Sequence, residues 1–246
     1  MRNLLLTLCF DGTSYHGWQV QKNAPTVQQT FQDAVEKIIG IRENVTGCSR
    51  TDSGVHANMF CCHMKTESTI ECERFTAALN ANLPLDIAVT DCREVALDFH
   101  ARYSCVSKEY IYKISNTKTR NPFRENRYLR YSYPIDEKLL DSAAKGFLGT
   151  HDFCGFSSSG SSVEDTVRTV IHSEVFRNGD EVVFRVEANG FLYNMVRIMT
   201  GTLIGVAQGK IEASEIPDII KSCDRSRAGI TAPAYGLYLN KVNYNL

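Results

Sequence analysis

The chain has 246 residues, of which 43% are hydrophobic and 22% charged, with a formal net charge of −1. That balance is ordinary for a soluble protein and allows one large or two modest domains with a sizeable core. A near-neutral charge excludes binding nucleic acid through overall charge, and no segment approaches membrane-spanning length.

Leu4 to Phe10 reads as a strand that ends at Asp11-Gly12. Its apolar run is too short for a leader peptide. Thr26, with Gln29 three residues later, predicts a capping box opening a helix. Val27, Phe31, Ala34, Val35 and Ile38 give that helix one buried face. Val45 to Cys48 and Phe60 to Lys65 read as strands. Glu71 to Leu79 reads as a helix limited by Pro84, and Ala88 to Val95 and Lys108 to Ser115 as strands.

The second half repeats the mixture. Asp136 caps a helix bearing Leu139, Leu140, Ala143 and Phe147. Val167 to Arg177 and Val182 to Ala188 form a hairpin across Asn178-Gly179. Leu192 to Val206 reads as a helix, Ser214 opens a short one, and Leu237 to Val242 is a closing strand. The pattern gives two successive α+β units. Gly155 to Ser162, rich in serine and glycine, reads as a flexible loop without a P-loop ending.

Nine cysteines are present without any Cys-x-x-Cys. Cys61 and Cys62 are adjacent on a strand, so they face opposite sides and read as small buried thiols, not a metal site. The odd count and missing export signal fit a reducing cytosol. Charge is concentrated between Arg102 and Arg130, where eight cations against Glu109 and Glu125 leave +6, and the rest of the chain sums to −7. Tyr103, Tyr110, Tyr112, Phe123 and Tyr128 interleave with these cations. Such a stretch suits a phosphate backbone with stackable bases; the alternative is a solvated strand face.

Gly47 to Ala57 reads Gly-Cys-Ser-Arg-Thr-Asp-Ser-Gly-Val-His-Ala. It has little apolar surface to bury, and it presents Asp52 near Arg50, which favours an ionised carboxylate. A surface turn with a local ion pair is the plainer reading. Arg50 to His56 resembles the signature of the tRNA pseudouridine synthase A family. Tyr15 to Gln19, Asn80 to Pro84, Phe99 to Tyr103, Lys108 to Tyr112 and Asn189 to Arg197 resemble further family segments, in order over nearly the whole chain.

The resemblance implies an α+β fold of two ferredoxin-like α/β-sandwich halves, with antiparallel sheets meeting around a central cleft. The halves would be 1–116, carrying the aspartate loop, and 117–246, completing the cleft. It implies a cytoplasmic homodimer that isomerises uridine to pseudouridine in tRNA, at positions thirty-eight to forty of the anticodon arm, without a cofactor.

Asp52 matches the family's essential aspartate, attacking C1′ or removing a C2′ proton. Arg50 matches the arginine expected to help extrude the nucleotide, and Tyr110 the active-site tyrosine. Arg197 matches an arginine that pairs with the aspartate from the other half. His56, His100 and Arg102 would line the site, contact RNA or serve structure, and Trp18 would pack beneath the first loop. The competing readings are a catalytically silent RNA-binding or RNA-folding module and a nucleoside hydrolase. A second catalytic carboxylate, which the hydrolase would need, is not apparent in the loop.

Overall fold

Four leucines in β1 (Arg2–Phe10) are at most 1% exposed, and both faces of the strand are covered. A near-continuous apolar run is what such a strand requires. In this computed structural model residues 1–160 and 163–246 are described, so the end of the Gly155 to Ser162 stretch lies outside the described residues. Two compact units account for the chain: Met1–Val106 with Tyr238–Leu246, and Ser107–Leu237.

The first unit runs β1, α1 (Val27–Ile39), β2 (Val45–Gly47), β3 (His56–Thr66), α2 (Cys72–Asn82) and β4 (Ile87–Val95). β1 lies between β4 and β3, antiparallel to both, and β2 pairs antiparallel with β3. Order 4-1-3-2 with two helices is the split βαβ arrangement of a ferredoxin-like sandwich. Thr26 N-caps α1, its hydroxyl accepting from the Gln29 amide, but the Gln29 side chain does not return the bond, so half of the expected capping box forms; Gly40 closes the helix in the left-handed region. α2 extends to Asn82, up to the turn before Pro84. β10 (Leu237–Tyr244) joins this unit by a short parallel pairing, Tyr238 with His56 and Leu239 with Ala57. The last strand therefore packs with the earliest ones, which a division by sequence order has no means to express.

The second unit is also α+β. β5 (Cys105–Ser115) pairs antiparallel with β9 (Glu181–Ala188), β9 with β8 (Val167–Asn178), and β8 with β7 (Gly149–Asp152). The two-residue β6 (Leu129–Arg130) adds to β5 in parallel. In the hairpin Asn178 pairs with Glu181, so the turn residues are Gly179 and Asp180, one position later than the sequence reading. Gly179 takes φ +57, the backbone this turn needs.

α3 (Glu137–Lys145) is capped by Asp136 and tied to β8 twice: Ser173 Oγ donates to the Ala144 carbonyl and the Val175 amide to Asp141. α4 spans Met195–Ala207 and is buried at nearly every position. It starts later than Leu192 because Asn194 holds φ +63 and cannot be helical. The short α5 (Ile216–Ser222) follows a 3₁₀ turn, Ala213–Glu215, that opens with a Glu212–Glu215 capping box and not at Ser214.

His63, buried on β3, accepts a hydrogen bond from the Ala101 amide through Nδ1 at 3.1 Å. Burial, assisted by His100 and Lys65, pushes its pKa down from 6.5 to about 4. The unfolded chain then binds a proton that the folded chain refuses, so stability present above the ordinary value is lost as pH falls toward about 4. Urea midpoints of the wild type should drop across this window. His63→Gln, which keeps an acceptor but does not titrate, should flatten that drop; an unchanged drop would place the acid sensitivity elsewhere.

Candidate active site

The Asp52 loop has almost no apolar side chains to bury, so its position must come from backbone contacts. The Trp18 amide donates to the Thr51 carbonyl at 3.3 Å and the Gly54 amide to the Tyr15 carbonyl at 3.1 Å. Within the loop the Val55 amide donates to the Asp52 carbonyl at 3.2 Å, and Gly54 takes φ +77.

Two glycines make this approach possible. A Cβ on Gly17 would lie 2.1 Å from the Thr51 carbonyl oxygen, and one on Gly12 would lie 2.0 Å from that of Val55. Gly17 also has φ +81, where side chains other than glycine are strained. Below the loop, Trp18 is 1% exposed and stacks on Phe60 with centroids 4.1 Å apart. Gly47 leaves room for the pair. Trp18 is thus a support, as its sequence context suggests.

Asp52 is half-buried and Arg50, two residues away, is exposed. Among the described residues Arg50 has no salt-bridge partner, so the local ion pair considered from sequence does not form. Thr51, between them, is buried, and its hydroxyl has no hydrogen-bond partner among the described residues. Tyr15, on the facing segment, donates its hydroxyl to Asp86 at 2.7 Å; burial, then that carboxylate, pushes its pKa well up.

His56 is 2% exposed and stacks on Tyr238 at 4.6 Å. Its Nδ1 accepts from the Gly12 amide at 3.1 Å and lies 3.1 Å from Asp11 Oδ1. His56 therefore holds the loop's exit. His100 Nδ1 accepts from the amides of Arg102 and Tyr103, and the exposed Arg102 guanidinium lies over the Tyr103 ring.

In the second unit, Tyr110 and Tyr112 lie on β5 and differ in their contacts. Tyr112 is fully buried, its hydroxyl donates to the Pro233 carbonyl at 2.7 Å, and burial pushes its pKa far up. It is a core residue. Tyr110 is 6% exposed and meets Phe191 edge-on at 5.0 Å.

Phe191 leads into the start of α4, where Asn194 Nδ2 donates to Ser158 and the Ser158 amide donates to the Tyr193 carbonyl. This end of the Ser/Gly stretch is anchored. Arg197 is the sole charged residue of α4 and is half-buried. Its Nε donates to the Ala232 carbonyl at 2.7 Å and Nη1 to Asn194 Oδ1 at 2.6 Å. The sequence motif contains Phe191 and Asn194 but gives no sign that they position Tyr110 and Arg197.

The basic stretch is a mixture. Arg124 donates to Ser115 Oγ at 2.9 Å and lies over Tyr128, which Lys113 also faces. Lys118, Arg120, Arg127 and Arg130 are exposed, as is Phe123 at 86%.

Compared with known proteins, the chain matches the family model described as tRNA pseudouridine synthase over residues 8–104 and 143–245. It belongs to the tRNA pseudouridine synthase family. Proteins named tRNA pseudouridine synthase A from Thermoanaerobacter sp. (strain X514) and Acetivibrio thermocellus are each 48% identical over 244 residues, covering 99% of this chain and 100% of theirs. One from Clostridium acetobutylicum is 43% identical over the same coverage. A crystal structure of a Cbf5-Nop10-Gar1 complex matches 96% of this chain and 57% of its own with 12% identity and TM-score 0.37, too remote to support any inference.

The matched segments contain Arg50, Asp52 and Arg197; Tyr110 and most of the basic stretch fall between them. Among the described residues no helix is long and apolar enough to cross a membrane.

The glycine contacts make a sharp expectation. Gly17→Ala should lower unfolding free energy by at least about 2 kcal/mol, since it adds left-handed strain to a backbone collision. Denaturant titration checks this. Gly40→Ala, also at positive φ but with nothing within 4 Å of its Cβ, should cost less and leave the Asp52 loop undisturbed.

Proposed function

We propose that this protein forms pseudouridine at positions thirty-eight to forty of the tRNA anticodon stem-loop, with Asp52 as the catalytic carboxylate. Tyr110, Arg50 and Arg197 bind the substrate. Family membership carries the coarser statement, an isomerase converting uridine to pseudouridine in tRNA. The observation that supports Asp52 is its loop: a half-buried carboxylate on a segment fixed by backbone contacts, beside an exposed arginine.

The reaction breaks the bond from uracil N1 to ribose C1′, turns the base and joins C5 to C1′. A proton leaves C5 and N1 ends protonated, so nothing is oxidised and no cofactor is required. As the first bond breaks, positive character develops on the sugar. A carboxylate stabilises it by charge or by attack at C1′, as in glycoside cleavage, or takes a C2′ proton. One carboxylate suffices because no water is activated and the base is retained.

The uridine must leave its stack, at a cost of a few kcal/mol. Arg50, exposed and unpaired among the described residues, is suited to the phosphate or the vacated space. Tyr110 offers a ring for the uracil and a hydroxyl for the C5 proton. Arg197, with two guanidinium nitrogens already fixed, offers an oriented cation for the nucleotide. On family likeness we also propose a cytoplasmic homodimer; sedimentation tests the dimer.

Asp52→Asn keeps the shape and removes the anionic oxygen. Tritium release from C5-labelled uridine in tRNA should vanish while tRNA affinity stays within a few-fold. Release near the wild-type rate would remove Asp52 from catalysis.

Tyr110→Phe should lose turnover with little loss of affinity. Tyr110→Ala should lose both, base–aromatic stacking being worth ~1–3 kcal/mol. Full activity of the Phe variant would leave Tyr110 only its ring.

Replacing Lys118, Arg120 and Arg127 by Gln should make log affinity less steep against log salt, because fewer counterions are released. An unchanged slope would move the RNA surface away from this stretch.

A further inference from the structure

Asp152, Cys154 and Cys223 bring a carboxylate oxygen and two thiol sulfurs within 4.8 Å of one another, the one such group among the described residues. Asp152 ends β7. Cys154 opens the 3₁₀ turn Cys154–Phe156, and Cys223 closes α5. All three belong to the second unit, and none is assigned a part in tRNA modification above.

The segments that carry the trio are locked together. The Cys154 thiol donates to the Cys223 carbonyl at 3.9 Å. A Cβ on Gly155 would lie 3.2 Å from the Asp224 amide nitrogen, so the two backbones pass closely. Asp152 is itself oriented: its Oδ1 accepts from the Cys154 amide at 3.0 Å and from the Thr166 hydroxyl at 2.6 Å.

Cys223 holds φ +53, a conformation uncommon outside glycine, asparagine and aspartate. Among the described residues the other non-glycine positions at positive φ are both asparagines. The usual residue for a left-handed helix end is glycine, so this end carries a thiol in an unfavourable backbone. Asp152 and Cys223 are exposed and Cys154 is half-buried, so the group is open to solvent on one side.

We propose that Asp152, Cys154 and Cys223 form a surface site for a thiophilic divalent cation of the zinc class. Two thiolates and a carboxylate supply three ligands of a tetrahedron, and water takes the fourth position. Calcium and magnesium, which want all-oxygen ligands, do not suit it. Binding displaces the two thiol protons to solvent and forms two metal–sulfur bonds and one metal–oxygen bond, without oxidation. The bound ion would join the end of α5 to the 3₁₀ turn at Cys154. Sequence spacing conceals the site, because Cys223 is remote from the Asp-x-Cys pair.

The test uses the full chain reduced with a phosphine. Cadmium titration should give one ion per chain with the ultraviolet charge-transfer band of two thiolates. Cys154→Ser with Cys223→Ser should remove that band. Asp152→Asn should retain it at affinity weaker by about tenfold or more, since losing even an outer-shell partner of a ligand costs that much. Zinc should raise the thermal midpoint of the wild type and not of the double variant.

Circular dichroism and tRNA modification of the double variant should match the wild type without added metal, which separates loss of a ligand from loss of fold. If the double variant misfolds, Cys223→Ser alone should halve the thiolate band. An equal band in wild type and double variant would assign binding to other cysteines and overturn the proposal. So would a reduced wild type that takes up no cation, or one that only forms a Cys154–Cys223 disulfide.

Discussion

Backbone touching backbone holds the Asp52 loop in place. A segment made of Ser, Arg, Thr, Asp and Gly cannot be fixed by burying apolar area, since it has almost none. Its carbonyls instead rest against Gly12 and Gly17, so closely that a single methyl group at either position would overlap an oxygen. The Trp18 and Gly54 amides fasten the same two strands of chain, and the stacked Trp18 and Phe60 rings form the floor. Such a contact tolerates little displacement, which is what a reacting carboxylate requires of its support.

The second unit solves a similar problem by packing a helix. α4 is so apolar that nearly every residue is buried, and Gly201 and Gly229 let it lie directly on the chain around Ile230. A helix held this firmly can carry one charged residue at a defined position. Arg197 is that residue, and the left-handed Asn194 and the Ala232 carbonyl fix its guanidinium. The same Asn194 restrains Ser158, so the anchoring of the arginine and of the serine-rich segment share one amide side chain.

Much of the architecture was legible because local signals agreed with the tertiary result. Thr26 and Asp136 announce their helices by capping chemistry, and the first helical face follows its 3.6-residue period. The misplaced boundaries have causes that spacing does not contain. β3 begins at His56 and not near Phe60, since its first residues pair with a strand far along the chain. α4 is delayed by a backbone angle at Asn194, and the hairpin turn is shifted by register. Asp52, Arg50, Tyr110 and Arg197 were visible only as motif residues. The glycine approaches that seat the Asp52 loop, the Phe191 ring against Tyr110, and the Ala232 carbonyl and Asn194 side chain that hold Arg197 are encoded by no composition or period.

The pairing of β10 with the start of β3 also bears on the order of folding. On the ribosome, the edge of β3 at His56 and Ala57 stays without this neighbour until residues 237–244 have emerged. His56, which steadies the exit of the Asp52 loop, gains its stacking partner Tyr238 in the same step. Most of the first unit is synthesised early, yet its completion waits for nearly the whole chain, a long-range closure of the kind that slows folding. A nascent chain interrupted before that strand would carry the aspartate without the full support of its loop.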